Sequence, residues 1–87
     1  MARYKLLLKA SATKEIEAIS AKRERQRIVS RIAELAEDPR PHGSQKLAGH
    51  HDRYRVRQGP YRIVYSVNDA TSEVVVVKVG HRREVYR

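Results

Sequence analysis

Apolar residues recur along this 87-residue chain with two different periods. In YKLLLKA, residues 4 to 10, Tyr4, Leu6 and Leu8 fall on alternate positions, which predicts a strand with those three on one face. From Ala21 to Glu37 the spacing changes: Ile28, Ile32 and Leu35 stand at i, i+4 and i+7, and Val29, Ala33 and Ala36 broaden the stripe. That is the period of an amphipathic helix, with Lys22, Arg23, Arg25, Arg27 and Arg31 mostly on its outer face. A shorter helix carrying Thr13, Ile16 and Ile19 precedes it, and the hydroxyl of Ser11 or Thr13 is placed to cap its first turn. Asp38-Pro39-Arg40-Pro41-His42-Gly43 ends the helical region, because each proline disfavours helix in the residue before it. The period of two returns in RYRVRQGPYRIVY, residues 53 to 65. After the turn-rich Asn68 to Ser72, EVVVVKVG has apolar residues on both faces and reads as a central strand. The predicted order is β-α-α-β-β-β, an α+β domain spanning residues 1 to 87.

If Gly59-Pro60 is a two-residue hairpin loop, the register of residues 53 to 65 follows. Tyr54 then faces Tyr65 and Val56 faces Ile63, an apolar set suited to lie under the helices. On the other side Arg55 faces Val64 and Arg57 faces Arg62. Like charges directly opposed across strands cost a few tenths of a kcal/mol or more, roughly the size of a cross-strand pair contribution. A row of guanidinium groups held in that way calls for an anion from outside the chain.

Charge strengthens this expectation. Nineteen Lys and Arg against ten Asp and Glu give a formal net charge of +9, and the basic residues crowd into positions 53 to 62 and 81 to 87. Such a field favours a polyanion: nucleic acid, an acidic membrane surface or an acidic protein. The chain has no Cys, so it can form neither a disulfide nor a thiolate metal site. The three leucines of the opening MARYKLLLKA are far short of a secretory signal, and no apolar run approaches a membrane span. The expectation is a soluble cytoplasmic protein with no membrane partner.

Two arginines a few Å apart match phosphate oxygens bidentately and can hold the extra negative charge of a phosphoryl-transfer transition state. The bland alternative is a solvated strand face. The C-terminal VGHRREVYR supplies other groups that such a site needs. His81 has a side chain able to exchange a proton near neutrality, Tyr86 offers a ring for stacking on a base, and Arg82 and Arg83 extend the positive surface. His42, His50 and His51 lie in loops, and no metal or other cofactor is implied. Attack on RNA needs none, since the ribose 2′-OH is an internal nucleophile and the protein has only to supply cations, orientation and proton transfer.

The combination KLAG, YRVR, YRIVY and GHRREVY, within a pattern running through nearly the whole chain, resembles the RelE/ParE superfamily of small toxins from type II toxin–antitoxin modules. The resemblance implies a RelE-like compact fold, with a mainly antiparallel four-stranded sheet and a helical hairpin on one face. Members similar to RelE cut mRNA on the ribosome by 2′-OH attack, whereas members similar to ParE poison DNA gyrase. The RelE-like set of basic strand residues, an arginine after the hairpin, and a C-terminal arginine and tyrosine matches Arg55 and Arg57, Arg62, Arg82, and Tyr86. The familiar pattern has lysines where this chain has Arg55 and Arg57, and an arginine is a poor proton acceptor. His81 and then Glu84 are the candidates for that task.

The expected function is therefore a ribosome-dependent mRNA endonuclease. Arg57, Arg62, His81, Arg82 and Tyr86 are its catalytic candidates, and Lys46, Arg53, Arg55 and Arg83 its RNA-binding ones. The implied partners are the ribosome, mRNA and a cognate antitoxin, in a heterodimer or heterotetramer. Two readings stand beside it: a gyrase inhibitor without nuclease activity, and a non-catalytic basic nucleic-acid-binding module.

Overall fold

The predicted order of elements holds, with one strand added. A computed structural model describes residues 3–81. It comprises β1 (Lys5–Leu8), α1 (Ala10–Glu17), α2 (Lys22–Glu37), β2 (Gln45–Lys46), β3 (Arg53–Gln58), β4 (Tyr61–Asn68) and β5 (Glu73–His81). The sheet runs β1-β5-β4-β3-β2, parallel only between β1 and β5. It thus has five strands where the sequence suggested four. Gln45 and Lys46 pair with Arg55 and Tyr54, and Leu47 N–H donates to the Arg53 carbonyl at 2.9 Å. Two residues are too few to display a period, so this strand leaves no pattern to read.

Hydrophobic burial decides which face the helices take. Ala12, Ile16 and Ile19 from the α1 region and Ile28, Ile32 and Leu35 from α2 pack on Val56, Ile63, Tyr65, Val67, Val74, Val76 and Val79. Tyr4 and Leu6 join this core, but Leu8, expected beside them, stays 39% exposed on the edge strand. The apolar stripe of α2 is narrower than expected, since Val29 is 53% exposed and Ala33 also faces solvent. Neither Ser11 nor Thr13 caps α1. The helix starts at Ala10 straight out of β1, with Lys9 at the cap position and its N–H donating to the Val76 carbonyl at 2.9 Å. Strand pairing, not a hydroxyl, sets where α1 begins.

The hairpin forms in the expected register: Tyr54 with Tyr65, Arg55 with Val64, Val56 with Ile63 and Arg57 with Arg62. Gly59 has φ of 58°, the sign required at the first position of a type II′ turn, and the ring of Pro60 supplies the negative φ of the second. A register shift between Val64 and Tyr65 in their pairing with β5 has a further effect. Tyr65 pairs with Val76 but Val64 pairs with Lys78, so Val77 is an extra residue on β5. The bulge changes the phase of β5 and brings Val79 to the core side, where strict alternation from Val74 and Val76 would have sent Lys78. Glu15 of α1 supports the post-bulge segment. Its carboxylate accepts from Val79 N–H at 3.0 Å and meets Lys78 Nζ at 3.1 Å.

A second set of polar contacts ties the segment after α2 to the far end of the sheet. Arg40 donates to Asp69 through both terminal nitrogens, at 3.3 and 2.8 Å, and through Nε to the Tyr54 hydroxyl at 3.1 Å. Tyr4 donates to the same carboxylate at 2.6 Å. The Arg40 guanidinium, and next the Tyr4 hydroxyl, hold the Asp69 carboxyl below its ordinary value. Below these contacts Tyr65 is fully buried and donates to the Pro39 carbonyl at 2.6 Å. Burial pushes its phenol up from 10.0 to about 12. A folded-state value above the unfolded one means that stability is complete below pH ~10 and falls as the pH rises through that window, by ~2 to 3 kcal/mol. Denaturant midpoints measured between pH 9 and 12 should decline, with one tyrosine ionising later in absorbance than the rest.

Candidate functional site

The alternation of β3 gives the sheet an open face built on basic residues. Arg53, Arg55 and Arg57 are directed away from the face on which Tyr54 and Val56 meet the helices, and Arg62 stands directly opposite Arg57 on β4. Opposed Cβ atoms in such a ladder lie ~4.5 to 5.5 Å apart, within reach of one phosphate for two guanidinium groups. Two guanidinium groups rooted at such a rung repel each other, by a few tenths to about 1 kcal/mol on an exposed strand face. A phosphate between them converts that repulsion into two attractions. On the far side of Arg62 the β5 partner is Gly80, which puts no side chain against it at that rung.

Val56, Arg55, Arg57 and Arg62 line a half-open pocket of about 350 Å³ together with Gly43 and Gln45. The volume lies at the low end for small-ligand sites. Arg57 is exposed and Arg62 half-buried, with Arg62 Nε shielded from water. Arg55 NH2 donates to Gln45 Oε1, which fixes the guanidinium over the pocket wall. Buried Val64, across from Arg55, gives the row an apolar base. Desolvation at that base strengthens any charge-assisted hydrogen bond formed above it.

Three of the sequence candidates, Arg55, Arg57 and Arg62, are thus brought together, with Arg53 two positions further along the same face. Lys46 is not among them: it pairs with Tyr54 and so shares the helix side, whereas its neighbour Gln45 pairs with Arg55. Gln45 and Gly43 were missed by sequence reasoning, because the strand that orients Gln45 is only two residues long. His81 pairs with Tyr61, and their rings meet edge-on with centroids 5.9 Å apart. Tyr61 packs against the core, so the β5 bulge has carried His81 to the helix side, one residue past Gly80. Arg82, Arg83, Glu84 and Tyr86 lie outside the described residues.

No helix among the described residues is long and apolar enough to cross a membrane. The family model described as ParE toxin of type II toxin-antitoxin system, parDE, matches residues 6–86. Toxin RelG of Mycobacterium tuberculosis is 37% identical over 43 residues, a match spanning about half of each chain: 49% of this one and 46% of RelG. Among solved structures, a mutant Escherichia coli toxin RelE in the free state superposes with a TM-score of 0.79 at 33% identity, covering 99% of this chain and 92% of that one. RelE of the archaeal RelE–RelB complex from Pyrococcus horikoshii gives a TM-score of 0.82 at 26% identity, over 94% and 98% of the two chains.

Proposed function

The chain belongs to the ParE toxin family of type II toxin–antitoxin systems, within the RelE/ParE superfamily, and from that premise we propose that it is a ribosome-dependent mRNA endonuclease. The observation that carries this reading is the Arg57–Arg62 pair, opposed on the open face with Arg55 beside it. In 2′-OH attack an O2′–P bond forms and the P–O5′ bond breaks, leaving a 2′,3′-cyclic phosphate and a 5′-OH. The phosphate gains negative charge at the transition state, where fixed guanidinium groups stabilise it most. Arg57 and Arg62 hold that phosphate, and Arg55, steadied by Gln45, anchors the neighbouring backbone with Arg53 beyond it. From the C-terminal segment, Arg82 adds charge stabilisation, Arg83 binds backbone and Tyr86 stacks on a base.

A cognate antitoxin is the natural partner for so basic a face, in a heterodimer or heterotetramer, and related RelE chains have been solved as RelE–RelB complexes. Acting on translating ribosomes makes the cytoplasm its place of work. The test is to add the protein to a translating extract and map 5′ ends, which should cluster within ribosome-bound message. Intact message at protein levels that arrest translation overturns the assignment. One observation favours a second reading, gyrase inhibition: the family model that matches is that of ParE. Loss of supercoiling by purified gyrase, with message left intact, would establish it.

Proton removal is the part of the sequence expectation that the geometry weakens most. With its ring against Tyr61 on the helix side, His81 is turned away from the Arg57–Arg62 phosphate grip. Losing a general base costs about 10²- to 10⁴-fold. His81→Ala should instead keep cleavage within about tenfold of wild type in the same extract, below that cost. A loss of a thousandfold, with the fold intact by circular dichroism, would return His81 to the catalytic set.

A further inference from the structure

The proposed grip uses the open face of the sheet, yet the helix side carries a second basic surface with no role in it. Arg23, Arg27 and Arg31 follow one another at i, i+4 and i+8 on α2, so their Cα atoms rise ~6 Å per step along one side of the helix. With Gln26, Ser30, Glu34 and Gln58 from the end of β3 they line a groove of about 580 Å³. Arg31 is drawn to Glu34 at 3.3 Å, whereas Arg23 and Arg27 are exposed and have no carboxylate partner among the described residues. Every residue of the lining is polar or charged.

That composition discriminates between occupants. A protein partner needs apolar or aromatic anchors at the centre of its footprint, and this groove has none. Arginine forks, amides and a hydroxyl repeated at regular intervals are instead the groups that contact a sugar–phosphate backbone without reading bases. We propose that the Arg23–Arg27–Arg31 groove docks the phosphate backbone of structured RNA, as a contact separate from the strand held at Arg57 and Arg62. The inference rests on the proposed function only for the source of that RNA, which would be the ribosome. Because α2 packs on the other side of the sheet from the grip, the two contacts embrace the domain from opposite faces. The groove sets affinity and leaves the chemical step alone.

The test uses the full chain and a labelled RNA hairpin, which reads backbone binding without ribosome, message or cleavage. Anisotropy titrations between 50 and 200 mM salt should give R23Q/R27Q a salt slope smaller than wild type by about 1.4 to 1.8, so that the salt-driven loss of affinity shrinks about tenfold. K9Q/K14Q removes the same charge from exposed positions elsewhere and should leave the slope close to wild type. Equal effects in both variants, or none in R23Q/R27Q, overturn the inference. So does an R23Q/R27Q variant that binds RNA normally but has lost affinity for its purified antitoxin. In the translating extract R23Q/R27Q should raise the concentration needed for half-maximal cleavage while saturating cleavage stays unchanged. A wild-type protein that binds the hairpin through Arg23 and Arg27 yet cuts no message refutes the nuclease reading and leaves the docking groove standing.

Discussion

Arg62→Ala is expected to lower message cleavage by about 10²- to 10³-fold, the usual cost of removing one preorganised donor from a developing oxyanion. Arg62 is half-buried, stands opposite Arg57 and pairs with Gly80 on its other side, so its truncation leaves Arg57 to face the phosphate without its cross-strand partner. The same substitution should leave stability unchanged or raise it by ~0.2 to 1 kcal/mol, because it removes a directly opposed like-charge pair. Activity and stability thus move in opposite directions, as they do where a binding site is held against its own repulsion. Arg57→Ala should behave alike with a smaller loss of activity, since Arg57 is exposed and its charge more screened. Lys46→Ala, whose side chain belongs to the other face, should have little effect on the chemical step. Cleavage mapped in a translating extract, together with thermal melts of the same preparations, gives both readings. A Arg62→Ala protein that cuts normally removes the arginine pair from the mechanism.

What the sequence made legible follows from where its information is local. The hairpin register could be read because a two-residue Gly-Pro loop fixes every pair after it, and because a one-residue slip would turn Val56, Ile63 and Tyr65 away from the core. That register delivered the Arg57–Arg62 opposition directly. The bulge at Val77 could not be read, since four consecutive valines look the same in either phase. Its consequence, the turning of His81 towards Tyr61, was therefore invisible as well. Gln45 escaped for a related reason: a two-residue strand has no period, and its pairing with Arg55 depends on a loop that Arg40 anchors to Asp69, 29 residues away. Long-range contacts between single polar residues leave no trace in a pattern of spacings.

That anchor makes Tyr65 the position where a substitution should do most damage to the fold. Tyr65 is 0% exposed, stacks on Tyr54 with ring centroids 6.0 Å apart, and faces Val76 beside the bulge. Tyr65→Ala removes a large buried ring and should cost ~3 to 5 kcal/mol, as truncation of core aromatics does. A domain this small is stable by only ~5 to 10 kcal/mol, so the variant should lose a large share of its stability and melt some tens of degrees below wild type. Tyr65→Phe separates packing from the hydroxyl. It keeps the ring but leaves the Pro39 carbonyl without its donor, at a cost of ~1 to 3 kcal/mol. Pro39 precedes Arg40, and the same segment continues to Gly43 and Gln45 in the pocket wall. Loosening it should weaken the hold of Gln45 on Arg55, so Tyr65→Phe should need more protein for half-maximal cleavage while its saturating rate is kept. Denaturant melts beside cleavage titrations distinguish the two effects. A Phe variant as stable as wild type would mean that the Pro39 carbonyl finds water, and the pocket should then be undisturbed.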